Sequence, residues 1–516
     1  MRLSLSILFL ISVFLLQPLS AEELLTHYEQ SGFTETPRHA EMVEYCHKLA
    51  EVSEFVQYSS FGTTPQGREL PLLIVDKSRK FEPTDDDRVK LMVIACIHPG
   101  ESDGKDAGLM LIRDFVRDGS LNDDFDDVVL LFIPIFNVDG HEKYGPYNRI
   151  NQNGPIEMGY RVTAQGYNLN RDFLKADAPE MRAWLKLFNK WLPDMFVDIH
   201  VTDGADYQYV VTYGIETHEN MIEPVRGWIN DAFLPHINNR MASHGFPLIP
   251  YVITRDYEHI TNGLIGLIWS PRFSTGYGTL QNRPSLLVET HMLKDYRTRV
   301  DATKKLLEEL ITYLADSGTE LREAVTTADR SAAEDLYESY YIIDYSRTQD
   351  TTEMLDFKGV DVSVQESDIS GGDWIIWGNE PQDYRVPYSN DYTPNDSVVI
   401  PYAYIIPPEW MEEIELIEDH GVKIKRLDGK QTLRVEAYKF DNVKWYDAPF
   451  EGHPMIEEFE YEMISMNRTY PDNSAVIIMN QRANQVAIHL LEPRTRDSFI
   501  HWGFFNTIFG QKEYFE

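Results

Sequence analysis

The chain has 516 residues and a formal charge of −36 at pH 7. Charged residues make up 25% and hydrophobic residues 43%, so a wholly disordered chain and a collagen-like fibre are excluded. The negative charge argues against coating nucleic acid or binding an anionic membrane surface, because phosphate groups need a positive field. At roughly 150 residues per domain the length suggests two to four domains.

Met1-Arg2 is followed by an apolar stretch from Leu3 to Leu16, then Pro18 and the small pair Ser20-Ala21. This is the pattern of an export signal cleaved after Ala21, and it is too short for a comfortable transmembrane helix. The expected mature protein is secreted or periplasmic, with no membrane insertion after signal cleavage. Only Cys46 and Cys96 are present, which excludes a disulfide framework and a Cys-rich zinc module and leaves room for one bridge. Cys96, in the run Val93–Ile97, reads as a small buried hydrophobe. Any zinc site must therefore use His and carboxylates.

Lys90–Ile97 is a near-continuous apolar run, as expected of a strand buried on both faces. It ends in His98-Pro99-Gly100-Glu101. In open α/β sheets functional groups collect at the carboxyl ends of strands, and an imidazole and a carboxylate across a Pro-Gly bend can converge on one ion. Ala107–Val116 has helical spacing. Val128–Phe136 is a second buried strand, closed by the polar turn Asn137–His141, and His141 reads as an exposed loop residue without a metal role. Asn170-Arg171 follows in a loop, where Arg171 can grip a carboxylate in a bidentate fork. Pro179–Trp191 reads as a helix, with Asp177 as candidate N-cap. In the strand Met195–His200, period two puts Phe196, Asp198 and His200 on one face. His200 is a candidate third ligand, and Asp198 either supports it from behind or is a structural buried acid. Leu286–Glu289 is a further strand, and a carboxylate leaving an apolar strand is a candidate general base. Ala302–Leu314 reads as an amphipathic helix.

The expected fold class is α/β, with a largely parallel sheet between helices. After Leu314 the character changes. Short β-like stretches (Trp374–Trp377, Ser397–Ile406, Leu433–Tyr438, Ala475–Met479) are separated by turns, and Glu412–Asp419 reads as a solvated helix face. The expected division is a signal at 1–21, a catalytic domain at 22–317, a linking segment at 318–345 and a mostly β accessory domain at 346–516. Packing of that accessory domain over the cleft rim would restrict access to peptides.

Three protein ligands leave a fourth zinc position for water, and a nearby carboxylate can move its proton. The parts match amide hydrolysis. In this combination the sequence resembles the zinc metallocarboxypeptidases, the carboxypeptidase A-like peptidases, over about residues 40–310. The resemblance implies a mixed sheet of about eight strands. It implies one Zn²⁺ per chain on His98, Glu101 and His200, Glu289 as general base, and Asn170 and Arg171 on the terminal carboxylate of a peptide substrate. Three positions depart from the family. Gln152 stands where the family has an oxyanion-stabilising Arg, leaving Arg149 or Arg161 to substitute. Gly266–Trp269 lacks a family Tyr, with Tyr277 nearby. Asn168 replaces the Asp that orients the first zinc His. Ser274 falls at the specificity position, and Arg272 beside it suggests an acidic terminal side chain. The expected function is an exported zinc carboxypeptidase. A zinc amidase or carboxypeptidase acting on cell-wall peptides or N-acyl amino acids, and a non-catalytic binding protein keeping the fold, are the alternatives.

Overall fold

The structure, a computed structural model, describes residues 24–202, 204–255, 260–335, 339–348 and 353–513. The expected signal at 1–21 lies outside the described residues. Among the described residues no helix is long and apolar enough to cross a membrane.

Ten strands precede the longest helix: β1 Val56–Thr63, β2 Glu69–Val75, β3 Val89–Ala95, β4 Val128–Ile133, β5 Met195–Thr202, β6 Val211–Gly214, β7 Leu248–Pro250, β8 Ile253–Thr254, β9 Leu264–Ile265 and β10 Ser285–His291. Eight of them form one sheet in the order β1-β2-β4-β3-β5-β10-β6-β7. The centre, β4-β3-β5-β10, is parallel, whereas β1, β2 and β6 join antiparallel. The sheet is therefore mixed rather than largely parallel, because β1 and β2 form a hairpin added to one side of the parallel core.

Both faces of the centre are covered, which explains the near-continuous apolar strands. Leu91, Val93, Val197, Ile199 and Val288 face one core, under the helices His39–Val52, Asp103–Asp118 and Tyr296–Glu334. Gly108 lets the second of these lie flat on the sheet. A Cβ there would stand 2.2 Å from the Phe132 ring, so the roughly 1 kcal/mol cost of a mid-helix glycine is offset by close packing. Met92, Ile94 and Phe196 face a second core that contains Trp184 and Phe188 of the helix Pro179–Trp191. Asp177 does not cap this helix. Ala178 holds the N-cap position, and the Asp177 carboxylate bonds Lys175 and His453 instead.

The helix Tyr296–Glu334 runs well beyond Leu314. After it come long hairpins, Met354–Glu366 with Asp373–Ser389 and Gln431–Trp445 with Ile456–Tyr470, and a three-stranded sheet. The expected stretch Ser397–Ile406 is split between Tyr392–Val399 and Ala403–Ile406. The acidic segment forms the helix Met411–Asp419, whose other side buries Ile414, Leu416 and Ile417. Those residues, with Val486 and Ile488, share the Trp184 core. Cys46 and Cys96 are buried free thiols.

Candidate metal centre and substrate cleft

The ends of β3, β5 and β10 meet on the face that carries Phe196. Residue Glu101 donates its N–H to the His98 carbonyl at 2.9 Å, closing the Pro-Gly bend. A Cβ on Gly100 would stand 2.7 Å from Arg149 Cδ, so only glycine admits this turn without displacing Arg149. In β5 the side chains alternate, and Asp198 and His200 fall on the cleft side of the sheet. Glu289 pairs with His200 across β10 and β5, which brings the two side chains together.

His98, Glu101 and His200 are buried and offer ligand atoms all within 4.8 Å of one another. His98 Nδ1 lies 3.1 Å from Glu101 Oε1 and 3.1 Å from His200 Nδ1. His200 Nδ1 lies 2.9 Å from Glu101 Oε2. The outward ring nitrogens are supported from behind. His98 Nε2 is 3.0 Å from Asn168 Oδ1, and His200 Nε2 is 2.9 Å from Asp198 Oδ2. Asn168 is oriented locally, as the N-cap of the short helix Leu169–Arg171, where its Oδ1 also accepts from Asn170 N. Two imidazoles and one carboxylate, with the rings held by oxygen acceptors, suit Zn²⁺.

Burial pushes the Glu101 carboxyl up, but Arg149 and the two imidazoles outweigh it and hold the group well below the usual carboxylate range. Burial pulls His98 down to about 4. His200 goes the other way, because Asp198 and Glu101 overcome its burial. Burial pushes Glu289 up to about 8, against the pull of His200. Among the described residues its Oε2 has no hydrogen-bond partner, and neither has Asn170 Oδ1.

These residues line one cleft of about 300 Å³, together with Arg161, Arg171, Tyr251, Leu267, Trp269, Phe273, Ser274, Thr275 and Leu287. Arg171 stacks on Phe273, 4.4 Å from the ring centre, and donates to the Asn170 carbonyl. Arg149 supports a ligand. Its guanidinium donates to Glu101 Oε1 at 2.6 Å, Gln152 Oε1 at 2.7 Å and the Val201 carbonyl at 2.8 Å. Arg161 is 42% exposed, and its Nη1 lies 3.4 Å from His98 Nδ1 and 3.7 Å from Glu101 Oε1. It is the more accessible cation beside the ligands.

Residues 42–223 match the family model described as zinc carboxypeptidase. This stretch is thus similar to zinc carboxypeptidase domains. The match takes in His98, Glu101 and His200 and ends before Glu289. Carboxypeptidase 2 of Trichophyton rubrum is 20% identical over 501 residues, covering 92% of this chain and 85% of that protein. Carboxypeptidase 2 of Trichophyton equinum is 21% identical over 500 residues, with the same coverage of 92% and 85%. A metallo-carboxypeptidase from Pseudomonas aeruginosa, solved with (2-guanidinoethylmercapto)succinic acid, is 20% identical, with 55% of this chain and 69% of that one covered and a TM-score of 0.41.

Three sequence expectations around the site change. Arg272 does not line the cleft. Its Nε donates to Asp497 at 2.7 Å and its guanidinium lies over Trp502. Tyr277 is a core residue bonded to His420 and Gln281. His141 is fully buried, between Lys105 and Glu142, rather than exposed on a loop. Trp269 and Thr275 had no motif to mark them as cleft residues.

Proposed function

We propose that the protein is an exported zinc carboxypeptidase that releases the last residue of peptides with a free terminal carboxylate. Residues 22–317 carry the catalysis in this reading, and 346–516 form an accessory region. The supporting observation is the convergence of three ligand atoms with Glu289, Asn170 and Arg171 in one cleft.

Zn²⁺ held by His98, Glu101 and His200 supplies Lewis acidity, which polarises a carbonyl and makes water acidic enough to lose a proton near neutral pH. Every other step belongs to the chain. The unpartnered oxygen of Glu289 takes the proton of the attacking water and returns it to the leaving amine. Glu289 would be held in its ionised form, against the effect of burial, by a cation on the three ligands. Arg171 forks the terminal carboxylate, with Asn170 beside it. Arg161, half-exposed next to the ligands, donates to the carbonyl oxygen as it gains charge. Leu267, Trp269, Phe273 and Leu287 form an apolar part of the cleft wall, which favours an uncharged, apolar terminal side chain.

The test compares peptides ending in Phe, Glu and Lys, each with a free or an amidated terminus, with and without a chelator. The Phe peptide is expected to turn over fastest. Amidation should cost about 10- to 100-fold, the worth of a charge-assisted hydrogen bond. Chelation should abolish turnover and Zn²⁺ restore it. Equal cleavage of amidated peptides would sink the exopeptidase reading.

A further inference from the structure

Two zinc-ligand histidines are supported unequally. Behind His200 stands the Asp198 carboxylate, whereas behind His98 stands the neutral carboxamide of Asn168. Outer partners of metal-bound histidines fix the ring and raise its basicity, and a carboxylate does so more strongly than an amide.

A carboxylate does reach this place, from 283 residues further along the chain. Glu451 Oε2 accepts the backbone N–H of Asn168 at 3.1 Å. Glu451 sits in the 446–455 loop, which joins the strands Gln431–Trp445 and Ile456–Tyr470. The loop is anchored on the zinc carboxypeptidase domain at both sides of Glu451. His453 Nε2 bonds Asp177 Oδ2 at 2.7 Å, and Asp177 is tied to the buried Lys175. On the other side the Arg272 guanidinium lies over the Phe450 ring, 5.8 Å from its centre, and Phe450 also stacks on Trp502 of the C-terminal region. Glu451 also acts at a distance on the substrate cation. Its charge is the first acidic influence on Arg171, set against burial and Arg161.

We propose that Glu451 is a positioning residue of the catalytic site. Through the Asn168 N–H it holds the Asn168 carboxamide on His98 Nε2, and it brings a negative charge to a ligand whose direct partner is neutral. The 446–455 loop is then a working part of the site. This inference rests on the proposed zinc carboxypeptidase activity.

The test uses the full chain with Glu451→Ala, Glu451→Gln and the double change Asn168→Asp with Glu451→Ala. Zn²⁺ dissociation is read by competition with a chromophoric chelator, and kcat and KM on a Phe-ending peptide. Glu451→Ala should weaken Zn²⁺ binding and lower kcat by about three- to tenfold, less than the loss of a direct outer partner. KM should not rise, because Arg171 loses a competing negative charge. Glu451→Gln, which keeps an acceptor without the charge, should fall between. The double variant, with a carboxylate on His98 itself, should recover Zn²⁺ affinity to within about twofold of wild type, a coupling that a purely structural loop contact would not produce. If thermal unfolding shows Glu451→Ala to be misfolded, Glu451→Gln, alone and with Asn168→Asp, carries the comparison. Zn²⁺ affinity and kcat within about twofold of wild type in the Glu451 variants would overturn the inference alone. A wild-type chain that neither holds Zn²⁺ nor cleaves peptides would overturn the activity as well.

Discussion

Glu289 leaves β10 beside His200, is 9% exposed, and keeps one oxygen without a hydrogen bond. Burial beside His200 and an oxygen left open suit the proton-carrying role proposed for it. Replacing it by Gln preserves shape and leaves the three ligands intact. Glu289→Gln should therefore retain Zn²⁺, measured as metal per chain, while kcat drops by about 10²- to 10⁴-fold, the usual worth of a general base. Retained turnover would refute the role. Arg149 has the opposite character. Its contacts to Glu101, Gln152 and Val201 make it a brace for a ligand, and this leaves Arg161 as the freer donor at the same place.

The helix Pro179–Trp191 carries a second unusual acid. Glu180 lies in its first turn, is fully buried, and among the described residues neither carboxylate oxygen has a hydrogen-bond partner from another residue. Burial pushes its carboxyl up from 4.5 to about 7, with Asp139 and Asp172 adding to the effect. Between these two values the unfolded chain has released the proton and the folded chain still holds it. Stability therefore falls as pH rises through the window from 4.5 to about 7 and is fully present below it. The contribution is on the order of 3 kcal/mol, at about 1.4 kcal/mol per pH unit. Denaturant midpoints of wild type and Glu180→Gln should diverge across this window, the variant losing less stability as pH rises. Parallel curves would show that Glu180 is not protonated in the fold.

At the scale of the whole molecule, the C-terminal region completes the core of the catalytic one. Ile406, Ile414, Ile417, Val486 and Ile488 share a core with Trp184, Phe188 and Phe196. Each fully buried aliphatic side chain contributes roughly 1.5–3 kcal/mol, so removing the region uncovers a large apolar face. A chain ending at residue 345 is expected to aggregate or to lose its cooperative unfolding transition, as read by size exclusion and thermal melting. A soluble, cooperatively folding truncation would overturn this. The tie also runs through polar contacts, because Asp177–His453 and Arg272–Asp497 join the two regions beside the cleft.

Local sequence determined much of this protein. Period-two and near-continuous apolar runs marked β3, β4, β5 and β10, since a central strand must be apolar on both faces. The strand ends then named His98, Glu101, His200 and Glu289, which do meet in space. Asn170 and Arg171 were legible as an adjacent polar fork, whereas Asn168 was marked only by the family resemblance and its capping role appears in the fold. What the sequence could not carry is anything set by distant partners. Arg272 lay beside the expected specificity position, Ser274, but turns to Asp497, 225 residues away. His141 looked like a loop residue until Lys105 enclosed it. The antiparallel additions of β2 and β6 are a matter of pairing, which apolar patterning does not specify. Glu451 reaches Asn168 only because a long hairpin folds back across the domain, and no spacing rule connects residues so far apart. Local chemistry marked the candidate ligands and the candidate base. Tertiary structure alone decided which cations stay accessible in the cleft and which carboxylate reaches Asn168, because both depend on contacts between segments remote in the chain.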